Sequence, residues 1–114
     1  MKFLQLANGV LMPSVALGTW QIPNGEVCYN AVKVALEVGY RHIDTAMAYQ
    51  NEESVGKATK DFGIKREDVF ITTKLPAQIK GYQEALDTFH KSLNNLGVEY
   101  IDLYLIHAPK PWDD

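Results

Sequence analysis

A strand-like apolar run followed by a helical segment occurs three times along this chain, and a fourth strand-like run follows the last helix. The apolar runs cover residues 15–17, 40–46, 69–73 and 100–106. Each helical segment stops at a glycine, at Gly39, Gly63 or Gly97. Because parallel strands cannot be joined by tight turns, this alternation predicts parallel β-α-β units with right-handed crossovers. The sequence therefore predicts an α/β fold with four parallel strands and three helices.

The local patterns also predict how the segments begin and which faces are buried. Asn8-Gly9 between two apolar stretches predicts a hairpin that opens the chain. Asn24 and Asn51 are the predicted caps of the first two helices, with Glu52 favourable near the positive end of the second. The stripe predicted to face inward on the first helix consists of Val27, Ala31, Val34, Ala35 and Val38.

Composition limits the class of protein. The 114 residues are 46% hydrophobic and 22% charged, which predicts one globular domain over residues 1–114. The net charge is −3 and the basic residues are scattered, so no nucleic-acid partner is expected. No apolar run is long enough for a membrane span or a secretory signal, and no metal site is expected. Cys28 is the single cysteine, which favours a reducing, cytoplasmic compartment and an inert thiol.

Two architectures fit the alternation, the doubly wound sheet and the (β/α)8 barrel. A doubly wound dinucleotide-binding fold places a GxGxxG motif after its first strand. This chain has Gly18-Thr19-Trp20 there, and the bulky pair disfavours close approach of a phosphate at that turn. A doubly wound binding domain nevertheless remains one of the hypotheses at this point.

Chemically active residues follow the predicted strands at their carboxyl ends. These ends meet at one rim in either architecture, and they carry Trp20, Asp44 with Tyr49 beyond it, Lys74 and His107. A tyrosine donates a proton poorly at neutral pH unless a cation favours its anion. Lys74 could supply that cation if Asp44 keeps it charged and oriented.

His107 could then bind the same substrate oxygen as Tyr49 and orient a carbonyl group. None of these residues is a strong nucleophile, so the set implies addition of a hydride and a proton rather than a covalent intermediate. His42 and His90 are expected to be structural, since His42 starts its strand and His90 lies on a helix.

The segments LGTWQ (17–21), GYRHIDTAMAYQNEESVG (39–56), FITTKL (70–75) and YIDLYLIH (100–107) resemble the N-terminal half of the aldo-keto reductases. LIHAPKPWDD resembles bacterial members related to diketogluconate reductases. The resemblance implies half of a (β/α)8 barrel that reduces a small carbonyl substrate with NADPH. It implies Tyr49 as general acid, Asp44 and Lys74 as its tuning pair, and His107 as the residue that orients the carbonyl.

The same resemblance implies the binding residues. Gly18, Thr19, Trp20 and Asp44 would contact the cofactor. Trp20, Tyr49, His107 and Trp112 would contact the substrate.

The chain departs from this family in length, because a (β/α)8 barrel needs eight strands and about 250 residues. We therefore expect a truncated chain with little activity of its own. The alternative is a non-catalytic half-barrel that self-associates, since the unpaired backbone groups at its sheet edges and its open apolar surface could bind a second copy.

Overall fold

The computed structural model describes residues 2–107, and within that range the chain begins with an antiparallel hairpin. Strands β1 (Phe3–Gln5) and β2 (Leu11–Pro13) pair with Leu4 opposite Met12. Gly9 adopts a φ of 88°, which residues with a Cβ rarely reach, and Asn8 Oδ1 accepts a hydrogen bond from the Val10 amide at 3.1 Å. The predicted Asn8-Gly9 hairpin is confirmed.

Four parallel strands form the central sheet. They are β3 (Leu17–Gly18), β4 (His42–Asp44), β5 (Phe70–Leu75) and β6 (Leu103–Ile106), and they neighbour one another in chain order. Ile43 of β4 is aligned with Leu17 of β3 and Ile71 of β5. The strand order never reverses, whereas a doubly wound sheet reverses at a switch point. The arrangement fits the predicted half of a (β/α)8 barrel.

In the described part of the chain, three helices connect the strands: α1 (Glu26–Glu37), α2 (Glu52–Phe62) and α3 (Tyr82–Leu96). They form the crossovers that parallel strands require: α1 connects β3 to β4, α2 connects β4 to β5, and α3 connects β5 to β6. Two single-turn 3₁₀ segments, Met47–Tyr49 and Arg66–Asp68, complete the described elements.

The face of α1 that enters the core differs from the predicted stripe. The buried residues are Cys28, Val32, Ala35 and Leu36, whereas Val27, Val34 and Val38 are exposed. The predicted cap is also wrong, because the helix starts after Gly25 and Asn24 Oδ1 instead accepts from the Ser54 amide and hydroxyl of α2. The start of α1 is thus attached to α2, and this tertiary contact selects the buried face.

The hydrophobic core lies between the sheet and the three helices. Its fully buried members include Val32 and Leu36 of α1, Ile43 of β4, Val55 of α2 and Ile71 of β5. Close packing of α2 on α3 depends on a glycine: a Cβ at Gly56 would lie 2.5 Å from the Leu96 carbonyl carbon and closer still to its oxygen. The two helices therefore approach to backbone contact.

Over residues 2–107, both ends of the four-stranded sheet are edges, since β3 and β6 each have one hydrogen-bonded neighbour. Leu105 and Ile106 of β6 are 42% and 62% exposed, and Phe3 and Leu11 of the hairpin are also exposed. Apolar surface is thus left open at one sheet edge and on the hairpin. Within residues 2–107, no helix has the length and apolar character needed to cross a membrane.

Candidate active site

Asp44 and Lys74 lie at the carboxyl ends of neighbouring strands β4 and β5 and form an ion pair. Lys74 Nζ donates to Asp44 Oδ1 and, at 3.0 Å, to the Thr45 carbonyl oxygen. The Lys74 side chain is only 13% exposed, whereas that of Asp44 is 40% exposed. The ammonium group is therefore largely shielded from water and oriented by two oxygen atoms.

Tyr49 lies on the 3₁₀ turn that follows β4, and this turn brings its ring over Lys74. The turn ends at Gln50, whose φ of 60° is in the left-handed region and redirects the chain into α2. Lys74 Nζ lies 3.5 Å from the Tyr49 hydroxyl oxygen and 5.1 Å from the ring centroid. The ammonium group therefore lies close to the phenol oxygen and is attracted to the ring face.

His107 directly follows β6 and completes the cluster. Its amide donates to the Leu75 carbonyl oxygen at 2.9 Å, which attaches it to the end of β5. The imidazole stands perpendicular to the Tyr49 ring, at 90° and with 5.4 Å between ring centroids. The structure thus brings the four predicted catalytic residues Asp44, Tyr49, Lys74 and His107 together from three strands.

The last residue of β3 and the two residues that follow it differ in exposure and bonding. Gly18 is aligned with Asp44 in the sheet. Thr19 is fully buried, and its amide and hydroxyl donate to the Asp44 carbonyl oxygen at 3.0 and 3.1 Å. Trp20 follows at the same end of β3 and is 67% exposed. The contacts of Gly18, Thr19 and Trp20 with a cofactor stay predictions, and Trp112 lies outside the described residues.

The sequence patterns missed the role of Asn51. It occupies the capping position of α2, but its side chain makes no bond to the helix. Instead, the fully buried amide donates from Nδ2 to the carbonyl oxygens of Thr19 and Ile22 at 2.8 and 3.0 Å. Its Oδ1 accepts from the Thr45 hydroxyl at 2.6 Å. The residue predicted as a cap instead connects the ends of β3 and β4 through its side chain. In the sequence, an asparagine before a helix looks the same whether it caps the helix or makes such a connection.

Glu52 was predicted as a favourable charge at the helix end, yet it is only 2% exposed. Its two oxygens accept from the Thr73 hydroxyl at 2.6 Å and from Asn95 Nδ2 at 3.0 Å. This carboxylate therefore links α2 to β5 and α3. Local sequence could not reveal it, because its partners lie 21 and 43 residues away.

The remaining candidate groups have structural environments. His42 is buried with Nδ1 3.1 Å from the Pro13 carbonyl oxygen and Nε2 2.8 Å from the Thr72 hydroxyl. His90 is exposed on α3. Cys28 is fully buried, and this desolvation raises the pKa of its thiol to about 11. Among residues 2–107, no group of three or more His, Cys, Asp or Glu side chains is arranged to bind a metal ion.

Comparison with known proteins identifies the family. Residues 14–114 match the model of the aldo/keto reductase family. Methylglyoxal reductase DkgA of Escherichia coli (strain K12) is 49% identical over 108 residues, which cover 95% of this chain and 38% of that relative. Glycerol 2-dehydrogenase (NADP(+)) of Saccharomyces cerevisiae is 49% identical over 113 residues, covering 98% of this chain and 35% of that relative.

Solved structures give the same answer. The crystal structure of an aldo/keto reductase from Brucella melitensis superposes with a TM-score of 0.92 at 50% identity, over 96% of this chain and 43% of that one. The chain therefore belongs to the aldo/keto reductase family and corresponds to the N-terminal portion of its members. The predicted half-barrel is confirmed and the doubly wound alternative is wrong. The chain spans less than half the length of each of these relatives.

Proposed function

We propose that this chain supplies the catalytic residues of an NADPH-dependent reductase of small aldehydes or ketones. The observation that carries the proposal is the position of Lys74 Nζ, which bonds the Asp44 carboxylate and lies 3.5 Å from the Tyr49 hydroxyl. A phenol beside a fixed, charged amine suits proton donation at neutral pH. The family match and the reductase names of relatives support carbonyl reduction as the chemistry.

Tyr49 is the general acid in this proposal. Reduction of a carbonyl group adds a hydride to the carbon and a proton to the oxygen. The Tyr49 hydroxyl donates its proton to that oxygen as negative charge develops there. The tyrosinate left behind faces the Lys74 ammonium, whose positive charge offsets it, and Asp44 holds that ammonium in place. Tyr49 then regains a proton from solvent.

His107 is the second donor to the carbonyl oxygen. Its ring packs edge to face with that of Tyr49, with 5.4 Å between centroids, so a small group bound beside both rings can contact the polar atom of each. Two donors fix the direction of the carbonyl group and expose one face of its carbon to attack. We assign His107 to orientation rather than to proton donation, because it makes no described bond with Lys74 or Asp44.

NADPH supplies the hydride when it is bound. The groups at the rim fit such a cofactor: the half-exposed Asp44 carboxylate can accept from ribose hydroxyls, and the exposed Trp20 ring can pack on a planar group. Gly18, aligned with Asp44 at the end of β3, lies at the same rim, and the buried Thr19 supports the Asp44 backbone from behind. Family members generally use NAD(P)H, and the name of the yeast relative specifies NADP(+), which supports the choice of NADPH.

A second candidate function applies to the isolated 114-residue chain, which we propose has little activity by itself. The open edges of β3 and β6 and the exposed Leu105 and Ile106 favour a non-catalytic half-barrel that self-associates. We also propose a cytoplasmic location, supported by the single, buried Cys28 thiol.

The catalytic proposal is tested in a completed barrel, made by joining this chain to the matching C-terminal part of the Brucella melitensis reductase. NADPH oxidation with a simple aldehyde is then followed by absorbance. Tyr49→Phe should lower turnover at least about 100-fold, as expected for loss of a general acid. The matched control is Tyr82→Phe, which removes a hydroxyl from an exposed residue of α3 and should leave turnover unchanged. Equal turnover of the two variants would refute the role of Tyr49.

A further inference from the structure

Asn51 connects the ends of two strands that carry the site. Both of its Nδ2 hydrogens are used, on the carbonyl oxygens of Thr19 and Ile22. Its Oδ1 accepts from the Thr45 hydroxyl at 2.6 Å and lies 3.4 Å from the Thr19 hydroxyl. A fully buried amide with all of these bonds formed has one orientation, because any rotation leaves a buried polar atom unpaired.

These bonds flank the catalytic ion pair. Thr19 donates twice to the carbonyl oxygen of Asp44, and the Thr45 carbonyl oxygen accepts from Lys74 Nζ at 3.0 Å. Asn51 is therefore bonded to the residue that fixes the Asp44 backbone and to the residue that orients the Lys74 ammonium. It does so from a position two residues beyond Tyr49 along the chain.

Glu52 extends the same connection to β5. Its Oε2 accepts from the hydroxyl of Thr73, the residue immediately before Lys74, and its Oε1 accepts from Asn95 of α3. Burial of a carboxyl group is costly unless its oxygens are bonded, so these partners constrain each other strongly. The backbone that carries Lys74 is thereby attached to the start of α2.

We propose that Asn51 and Glu52 are positioning residues that set the distance between Lys74 and Tyr49. The start of α2 fixes Thr45 through Asn51 and Thr73 through Glu52. Thr45 accepts a hydrogen bond from the Lys74 ammonium, and Thr73 directly precedes Lys74 in β5. The consequence for turnover rests on the function proposed above, whereas the effect on geometry does not. A role in fold stability alone would leave the Lys74 to Tyr49 distance unchanged in a folded variant.

Three buried threonines provide matched substitutions. Thr45→Val removes the hydroxyl that donates to Asn51, and Thr73→Val removes the one that donates to Glu52. Thr59→Val is the control, because its hydroxyl donates to the Val55 carbonyl oxygen within α2. Each change deletes one buried hydroxyl and keeps the branched shape, so differences among the variants report where the hydroxyl was bonded.

The first readout is made on the 114-residue chain. Nuclear Overhauser contacts between the Lys74 side chain and the Tyr49 ring should be lost or weakened in Thr45→Val and Thr73→Val and kept in Thr59→Val. Thr45→Ser and Thr73→Ser, which keep the hydroxyl, should retain the contacts. If either valine variant does not fold, Glu52→Gln and the remaining valine variant give the same comparison. Unchanged contacts in the folded variants would overturn the proposal.

The second readout is turnover in the completed barrel. Loss of positioning should lower kcat by roughly 10-fold to 100-fold, with a smaller change in KM and none in Thr59→Val. If the unsubstituted barrel does not turn over, the function proposed above fails, but the nuclear Overhauser contacts still decide the positioning role. Contacts that weaken without any fall in kcat would overturn the link from positioning to catalysis.

Discussion

Replacement of Gly56 by alanine should disrupt the packing of α2 on α3. The new Cβ would lie 2.5 Å from the carbonyl carbon of Leu96 and 2.8 Å from its Cα, and closer still to its carbonyl oxygen. All three atoms are backbone, so no side-chain rotation can relieve the overlap. The helices must separate, and this movement would also stretch the Asn95 to Glu52 hydrogen bond between them.

The expected loss of stability follows from two opposing effects. Overpacking of a close-packed site costs about 1–3 kcal/mol, and contact with rigid backbone places this change near or above about 3 kcal/mol. Alanine is better than glycine in a helix interior by about 1 kcal/mol, which offsets part of the cost. The net loss is about 2 kcal/mol or more, which lowers Tm by roughly 8 °C or more in a domain of this size.

Thermal and urea unfolding followed by circular dichroism measure this loss. Gly18→Ala is the matched control, because a Cβ there meets no atom within 4 Å and the backbone is outside the left-handed region. The control should be neutral or stabilising by up to about 1 kcal/mol. If Gly56→Ala were as stable as Gly18→Ala, the close approach of α2 and α3 described above would be wrong.

Three further predictions concern reactivity, catalysis and assembly. Cys28 is fully buried and burial raises its pKa to about 11, so it should react with iodoacetamide at about pH 8 about 100-fold more slowly, or more slowly still, in the folded chain than in urea. The rate, measured by mass spectrometry, should rise as pH approaches that pKa. In the completed barrel, Lys74→Met should cut turnover far more than NADPH affinity, measured by kinetics and by titration. In sedimentation, the isolated chain should be at least a dimer, and Leu105→Lys with Ile106→Lys at the exposed edge should shift it toward the monomer.

Each of these has a contradicting result. Equal alkylation rates in the folded and unfolded chain would show that Cys28 is accessible and ionised. Loss of NADPH affinity with unchanged turnover would make Lys74 a cofactor ligand. A compact monomer that unfolds cooperatively and binds NADPH tightly would exclude both the self-association and the weak activity proposed for the isolated chain.

Much of the fold could be predicted because its signals are local. Asn8-Gly9 specifies its turn by backbone conformation, and the helices α2 and α3 end at Gly63 and Gly97, both with positive φ. The apolar runs indicate the strands. Their parallel pairing then follows because the connections between them are long enough for crossover helices. The buried face of α1 could not be predicted, since that helix is apolar on two overlapping faces and its orientation depends on contacts with Ser54 of α2.

The residues of the candidate site could likewise be predicted only in part. Asp44, Lys74 and His107 could be located because the carboxyl ends of parallel strands share one rim, and Tyr49 because it follows within one short turn. Asn51 and Glu52 could not be recognised, since their bonding partners are distant in the chain and their residue types are common at helix starts. In the sequence alone, polar residues at a helix start that support a site cannot be told from capping residues, because their hydrogen-bond partners are known only from the structure.

Isotope transfer tests the central claim most directly. The completed barrel is given NADPH that carries deuterium at the transferred position and an aldehyde, and the alcohol is analysed by nuclear magnetic resonance. One deuterium should appear on the carbon that bore the carbonyl oxygen, and its rate of appearance should fall at least about 100-fold in Tyr49→Phe but not in Tyr82→Phe. Alcohol formed without deuterium at that carbon, or at the same rate in both variants, would contradict carbonyl reduction with Tyr49 as the acid.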